Sequence, residues 1–152
     1  MSATYSFIDV SAAITGPGGS FSLSVGGIAD EGITIAYNGD KNTMITGAAG
    51  EGMHSLHASN AGRITVRVMK TGAANALLNQ MYRHQMLSSA NWGQNQISIR
   101  NAATGDSITA SQGSFVKHPD NVNAKEGNIQ EWAFDFVKID TILGTGAPAI
   151  IE

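Results

Sequence analysis

The sequence predicts a mainly β protein with a single α-helix, on three observations. Apolar and polar residues alternate along most of the chain, as they do in strands that bury one face. One stretch, after Lys70, changes to the three- and four-residue spacing of an amphipathic helix. Clusters of glycine, proline, asparagine and aspartate separate these stretches as turns. The 152 residues show no internal repeat or boundary, so residues 1–152 are predicted to form one domain.

The first half of the chain contains three predicted strands followed by a long segment of weak pattern. The glycine- and proline-rich residues 15–19 join the first two strands as a hairpin turn. The segment 38–60 begins with the strong turn signal Asn38-Gly39, and it holds a short predicted strand at 43–46. Loops of this length in compact domains are usually functional or disordered. The three strands are predicted at residues 5–14, 20–28 and 33–37.

The clearest local pattern is a strand at residues 63–69 that leads directly into the helix. Ile64, Val66 and Val68 share its apolar face. Thr71 is placed to cap the helix, because its hydroxyl can accept a hydrogen bond from an otherwise unpaired backbone N–H. The predicted apolar stripe of the helix consists of Ala74, Leu77, Leu78, Met81 and Tyr82.

The second half of the chain is again predicted to be strands, with a long polar loop. The last strand is apolar on both faces, with Trp132, Phe134 and Phe136 on one and Ala133, Val137 and Ile139 on the other. Such a strand lies between two layers, here between a barrel interior and the helix. The predicted elements are strands at 97–100, 107–116 and 129–140, a turn at 101–106, a polar loop at 117–128 and an exposed arm at 143–152.

Composition favours a structural role over nucleic-acid binding. Nine lysines and arginines face twelve acidic residues, for a net charge of −3, and nothing gathers into a basic patch that would grip phosphates. Charged residues are only 14% of the chain, and uncharged polar surface is easily buried against further copies. A neutral β protein with many turns fits the composition equally well. The chain has no cysteine, which excludes thiolate chemistry and suits a reducing cytoplasm.

The sequence predicts no secretory signal and no membrane span. The first residues lack both a basic region and an apolar run, and no stretch approaches the roughly 20 apolar residues of a membrane helix.

No arrangement of residues predicts an enzyme, a cofactor site or a metal site. His54 and His57 are three apart and would point to opposite faces of a strand, which makes a shared metal difficult. Glu131 and Asp135 share a face, but strand geometry separates them by roughly 13 Å. Nucleophile-elbow and phosphate-loop motifs are absent from the sequence.

Arg63, Arg67 and Lys70 form the densest basic group. They could lie on a solvated strand face and pair with neighbouring acids, or they could form ion pairs between subunits. We favour pairs between subunits, with Glu131 and Asp135 as the acidic candidates.

Several stretches resemble the tail tube proteins of contractile-tailed bacteriophages, which are related to the tube proteins of type VI secretion systems. The resemblance extends from Thr4 to Ile142 and lies in the order of elements, since no single motif is diagnostic. The stretches that carry it are Tyr5-Ser6-Phe7-Ile8-Asp9-Val10, the turn Gly16-Pro17-Gly18-Gly19, and residues 53–62, 63–66 and 70–78.

The resemblance implies a β-barrel or sandwich subunit of the tail tube type. Such subunits form homohexameric rings that stack into the inner tube of the tail, a conduit through which DNA passes during ejection without specific binding. It implies a virion protein assembled in the host cytoplasm, with the sheath protein, the tape measure protein and a baseplate initiator as partners. It places an inter-ring loop in segment 38–60, with the candidates Asn38, Gly39, Asp40, Gly47, Gly50, Glu51, Gly52, Met53 and His54.

The alternative is another virion or surface β-module, such as a carbohydrate-binding adhesin. An adhesin site would require exposed aromatic residues on loops. Here most aromatic residues alternate within predicted strands, which indicates core positions and favours the tube.

We predict that thermal stability does not depend on a bound metal. The midpoint of unfolding should be the same with and without a chelator. A metal site that contributes several kcal/mol would shift it by many degrees, and such a shift would restore His54 and His57 as candidate ligands.

Overall fold

The computed structural model describes residues 10–22, 28–101 and 104–144. Parts of four predicted elements lie outside these residues, namely 5–9 of the first strand, 23–27 of the second, 102–103 of the turn and 145–152 of the arm. The described strands are β1 (Val10–Gly16), β2 (Gly19–Ser22), β3 (Ile28–Tyr37), β4 (Asn42–Thr46), β5 (Gly52–Leu56), β6 (Gly62–Met69), β7 (Asn95–Asn101), β8 (Asp106–Phe115) and β9 (Ile129–Ile142). The helix α1 (Ala74–Met86) follows β6, and a 3-10 turn (Ser89–Asn91) follows α1.

Seven strands form one antiparallel sheet in the order β2-β1-β7-β8-β9-β6-β3, and β4 and β5 form a separate two-stranded hairpin. Among the described ladders none joins β2 to β3, so the sheet is open and sandwich-like rather than a closed barrel. The predicted class, mainly β with one helix, is confirmed.

One face of the sheet forms the core, and α1 covers it. Ile64, Val66 and Val68 of β6 are fully buried, as the alternation in the sequence predicts. Aromatic rings fill the centre, where Phe115 lies edge-on to Trp132 and tilted against Phe134, at centroid distances of 5.9 and 4.5 Å. Each such ring buries a large apolar area, which makes it a main contributor to the stability of the core.

The helix buries a narrower stripe than the sequence predicts. Ala74, Leu78 and Met81 are buried, while Leu77 and Tyr82 are only half-buried. The stripe continues to Gln85, a buried polar residue that the apolar spacing does not predict. Its Oε1 accepts from the Phe115 backbone N–H at 2.9 Å and from Asn95 Nδ2 at 3.4 Å, and so joins the helix to β7 and β8.

The predicted cap at Thr71 is wrong. The helix begins at Ala74, so its N-cap is Ala73, which makes no side-chain capping bond. Asn75 holds this junction instead. Its Nδ2 donates to the carbonyl oxygens of Met69 and Lys70, and its Oδ1 accepts from Trp132 Nε1 at 3.0 Å.

The last strand does not bury both of its faces along its length. Trp132, Phe134 and Phe136 are buried as predicted, but Val137 is 60% exposed. The strand changes its inward face at this point, and Ile139 is again buried. Gln112 lies between the ladder partners of Phe136 and Lys138 and has a φ of 57°. This irregularity shifts the alternation, and it is why Lys138 is exposed beside Val137 while Ile139 faces the core.

We predict that Gln112→Gly stabilises the protein. A left-handed backbone costs a non-glycine residue about 1 kcal/mol or more, and glycine avoids that cost. The midpoint of thermal unfolding should rise by ~2–4 °C for a chain of this length. Thr109→Gly, an exposed position with extended backbone on the same strand, is the matched control and should lower the midpoint. If the midpoint fell equally in the two variants, that result would contradict backbone strain at Gln112.

Candidate functional site

The β4–β5 hairpin continues the β3–β6 ladder beyond the end of the sheet. The N–H of Asn38 donates to the carbonyl of Ala61, and the N–H of His57 donates to the carbonyl of Lys41, each at 2.9 Å. The short strand predicted at 43–46 is therefore present. Segment 38–60 is, however, largely a hairpin rather than a loop. Its second strand, β5, is not predicted from the sequence.

The root of the hairpin is held by close packing and by one lysine. A Cβ on Gly62, the first residue of β6, would lie 2.6 Å from both the Ala36 carbonyl oxygen and Ile139 Cδ1, so only glycine allows this approach. Lys41 Nζ donates to the carbonyl oxygens of His57 and Ser59 at 3.1 and 2.8 Å. These contacts fix where the hairpin leaves the sheet.

The hairpin is apolar on both faces, and both faces are exposed. Ile45 and Met53 pair on one face, 57% and 58% exposed. On the other face, Met44 is 57% and Leu56 is 86% exposed. An isolated two-stranded hairpin is marginally stable in water, and exposed apolar groups of this kind mark interaction sites. The hairpin is therefore suited to burial against another molecule.

The nine predicted loop candidates are all exposed, but they are spread over the hairpin: most lie at its two ends, and Met53 and His54 lie within β5. Residues 38–40 are at its root. Residues 47–52 form its tip, where the Gly47 N–H donates to the Glu51 carbonyl at 2.7 Å. The Glu51 side chain is exposed at this tip, and among the described residues it has no cationic partner.

The two histidines of the hairpin contact different side chains. His54 Nδ1 lies 3.0 Å from Asn42 Nδ2, and His57 Nε2 lies 2.7 Å from Thr43 Oγ1. Within the described residues, no group of three or more histidine and acidic side chains is arranged to hold a metal ion.

The basic residues of β6 pair with acids of β9 within the same chain. Arg63 Nε lies 2.9 Å from Asp135 Oδ1, and Arg67 Nε lies 3.2 Å from Glu131 Oε1. The hydrogen bond and charge of Asp135 raise the pKa of Arg63. Such exposed pairs contribute about 0.2–1 kcal/mol at most. Pairing across one solvated strand face is thus what the structure contains, and pairing between subunits remains a prediction.

Lys70 differs from the two arginines, because it closes a loop rather than an ion pair. Its Nζ donates to the Val122 carbonyl oxygen at 2.5 Å and to Asn123 Oδ1 at 2.8 Å. Its backbone N–H donates to the Asn128 carbonyl at 3.0 Å. A cavity of about 470 Å³ lies beside this clamp, under the polar loop 117–128. No pattern in the sequence predicts this clamp, because the lysine and Val122 are 52 residues apart.

The face of the sheet opposite the core is largely polar, although Val137 is exposed on it. Besides the two arginine pairs it carries the exposed pair Lys138–Asp140, at 3.7 Å, and hydroxyl groups from neighbouring strands. Those on β6, β7 and β8 include Thr65, Ser98, Thr109 and Ser111. Its charges are thus largely arranged in opposite pairs.

A second exposed apolar group lies where α1 ends. Met86, Leu87 and Trp92 are 53%, 79% and 43% exposed. Trp92 is also the one exposed aromatic residue on a loop within the described part of the chain, whereas Phe115, Trp132, Phe134 and Phe136 are buried. A cluster of exposed loop aromatics, as an adhesin would require, is not found among these residues.

Helix α1 has 13 residues, and no helix among the described residues is long and apolar enough to cross a bilayer.

A family model described as the bacteriophage PhiTE tail tube protein matches residues 1–144 of the chain. No curated protein sequence matches the chain.

Several solved structures share the fold. The chain is similar to a chain of the anti-feeding prophage (AFP) baseplate, with a TM-score of 0.63 and 11% identity over 95% of this chain and 99% of that one. It is similar to a chain of the sheath-tube complex, in the extended state, of the extracellular contractile injection system PVC, with a TM-score of 0.57 and 12% identity over 92% of each chain. The chain is also similar to a chain of the AFP tube-terminating cap, with a TM-score of 0.56 and 14% identity over 95% of each chain. At such identities the likeness concerns the fold alone.

Proposed function

This chain belongs to the bacteriophage PhiTE tail tube protein family, and from that premise we propose that it builds the inner tube of a contractile tail. The family predicted from the sequence is confirmed, and so is a structural role in a tube. In the proposal, six copies close into a ring, and rings stack into a hollow tube that DNA passes through. The protein is then part of the virion tail, assembled in the host cytoplasm.

The exposed hairpin is the single observation that carries this proposal. Four large apolar side chains stand in water on two faces of a hairpin that extends past its sheet. Full burial of such a side chain stabilises an interface by about 1.5–3 kcal/mol. A hairpin that exposes apolar residues on both faces is suited to insertion between neighbouring subunits, and stacked rings provide such neighbours.

The open sheet supports closure of subunits into a ring. Among the described strands, β2 and β3 are the two edges, and their unpaired backbone groups can extend the sheet of a neighbour. An edge on one subunit that meets a different edge on the next is a contact that can close a ring. Ring closure would leave no edge free to aggregate.

The polar face of the sheet supports passage of DNA. Three ion pairs and many hydroxyl groups give it little net charge, so it neither grips nor strongly repels phosphates. We place this face toward the lumen. DNA would then move past it without specific binding.

The other proposed partners are the remaining proteins of a contractile tail. The similar solved structures include a sheath-tube complex, a baseplate and a cap. We propose that the sheath protein contacts the outside of the tube, with the apolar group at the end of α1 as a candidate contact. A baseplate initiator would start the tube and a tape measure protein would occupy it during assembly. No enzymatic activity is proposed.

We predict that the purified protein self-associates. Negative-stain images should show rings or tubes, and light scattering should show particles much larger than the 15.8 kDa chain. A tail initiator is to be added if growth does not start spontaneously. A protein that stays monomeric at high concentration and moderate salt, with no rings even beside an initiator, would overturn the proposal.

We also predict that shortening the hairpin tip impairs stacking but not folding. Deletion of Ala48 and Ala49 changes loop-closure entropy little, so circular dichroism should be unchanged. Tubes should become short stacks or single rings. Leu87→Ser is the control. It removes an apolar side chain that is as exposed as those of the hairpin but lies away from it, and it should leave tubes long. Normal long tubes from the deletion variant would remove this role from the hairpin, and loss of folding would place the tip in the core.

A further inference from the structure

The hairpin and the cavity under loop 117–128 lie at opposite ends of the same strand. The hairpin precedes Gly62, where β6 begins, and the cavity is lined by Lys70, which follows Met69 at its end. Eight residues of extended chain separate these ends by roughly 23 Å. A subunit therefore carries a projection at one end and a recess at the other.

The cavity offers apolar surface and one free cation. Val122 and Ile129 line it and are 51% and 44% exposed, and Met69 beside it is 46% exposed. Of its two lysines, Lys70 is engaged by loop carbonyls, whereas Lys117 is exposed and has no partner among the described residues. Of its two acids, Glu131 is paired with Arg67, which leaves Asp120 as the other free charge.

The hairpin has the complementary features. Its two strands present exposed methionine, isoleucine and leucine side chains, and its tip presents the carboxylate of Glu51. Exposed apolar surface thus lies at both ends of one subunit. The hairpin tip carries an unpaired acid, and the cavity carries the unpaired Lys117 together with Asp120. This arrangement fits a contact between copies that point in the same direction.

We propose that the cavity under loop 117–128 receives the β4–β5 hairpin of a second copy, with Glu51 of one copy facing Lys117 of the next. This inference rests on the proposed function and names the receiving site of the stacking contact. Because the two surfaces differ, a pair of copies in contact keeps one hairpin and one cavity free, and the contact can repeat from ring to ring.

Charge exchange tests the pairing. Glu51→Lys and Lys117→Glu each place like charges together, and each should shorten tubes about tenfold or more at low salt. The double variant E51K/K117E should restore wild-type length. Both positions are exposed, so circular dichroism should not change. Lys125→Glu, on the same loop but outside the cavity lining, is the control, and E51K/K125E should remain short.

Cross-linking tests the contact independently, since the chain has no cysteine of its own. Assembled E51C/K117C treated with a short bismaleimide should give a ladder at multiples of 15.8 kDa, because every copy is bonded to the next. Either single variant should give no such ladder. The control E51C/R100C places the second thiol on β7, outside the cavity lining, and should also give none.

The outcomes separate this proposal from the broader one. Wild-type tubes with no rescue and no ladder would overturn the receiving site and leave the tube function standing. Rescue by K125E in place of K117E would overturn the site as well. A wild-type chain that forms no ring or tube with an initiator would overturn both.

Discussion

The antiparallel ladder between β6 and β9 is the constraint on which the rest of the structure depends. Eight residue pairs hold it together, and it sorts the side chains of both strands onto two faces. On one face Ile64, Val66, Trp132 and Phe134 supply the core that α1 covers. On the other, the same register places each arginine of β6 opposite an acid of β9. The hairpin leaves this ladder at one end and the clamped loop at the other.

Much of this fold was predictable, because alternation and helical spacing report burial directly. β6 and α1 were predicted within a few residues on that basis. The errors have local causes that periodicity does not express. Thr71 is a good capping residue, but the helix begins at Ala74 because Asn75 holds the junction from within. Ile139 shares a face with Val137 by simple alternation, yet only Val137 faces solvent and Ile139 is buried, because Gln112 on the neighbouring strand interrupts the ladder.

The candidate site was predictable in position but not in form. Glycines and a long segment of weak pattern pointed to residues 38–60, because such segments are seldom needed for a core. The hairpin within it was missed because β5 pairs with β4 and with no other described strand, so neither of its faces has the polar and apolar contrast of a half-buried strand. The role of Lys70 was beyond the sequence for another reason. Its partners are carbonyl groups on a distant loop, and backbone acceptors have no residue signature.

The hairpin also has a kinetic consequence for any process in which it takes part. Among the described strands, its two strands pair only with each other, so their conformation is weakly stabilised until a partner covers them. Fixing each residue costs roughly 1–2 kcal/mol of backbone entropy, which offsets much of what one contact gains. A lone encounter between two free subunits is then short-lived, whereas in the proposed ring six hairpins would bind together. Growth would therefore have a sharp concentration threshold, below which the protein remains dispersed.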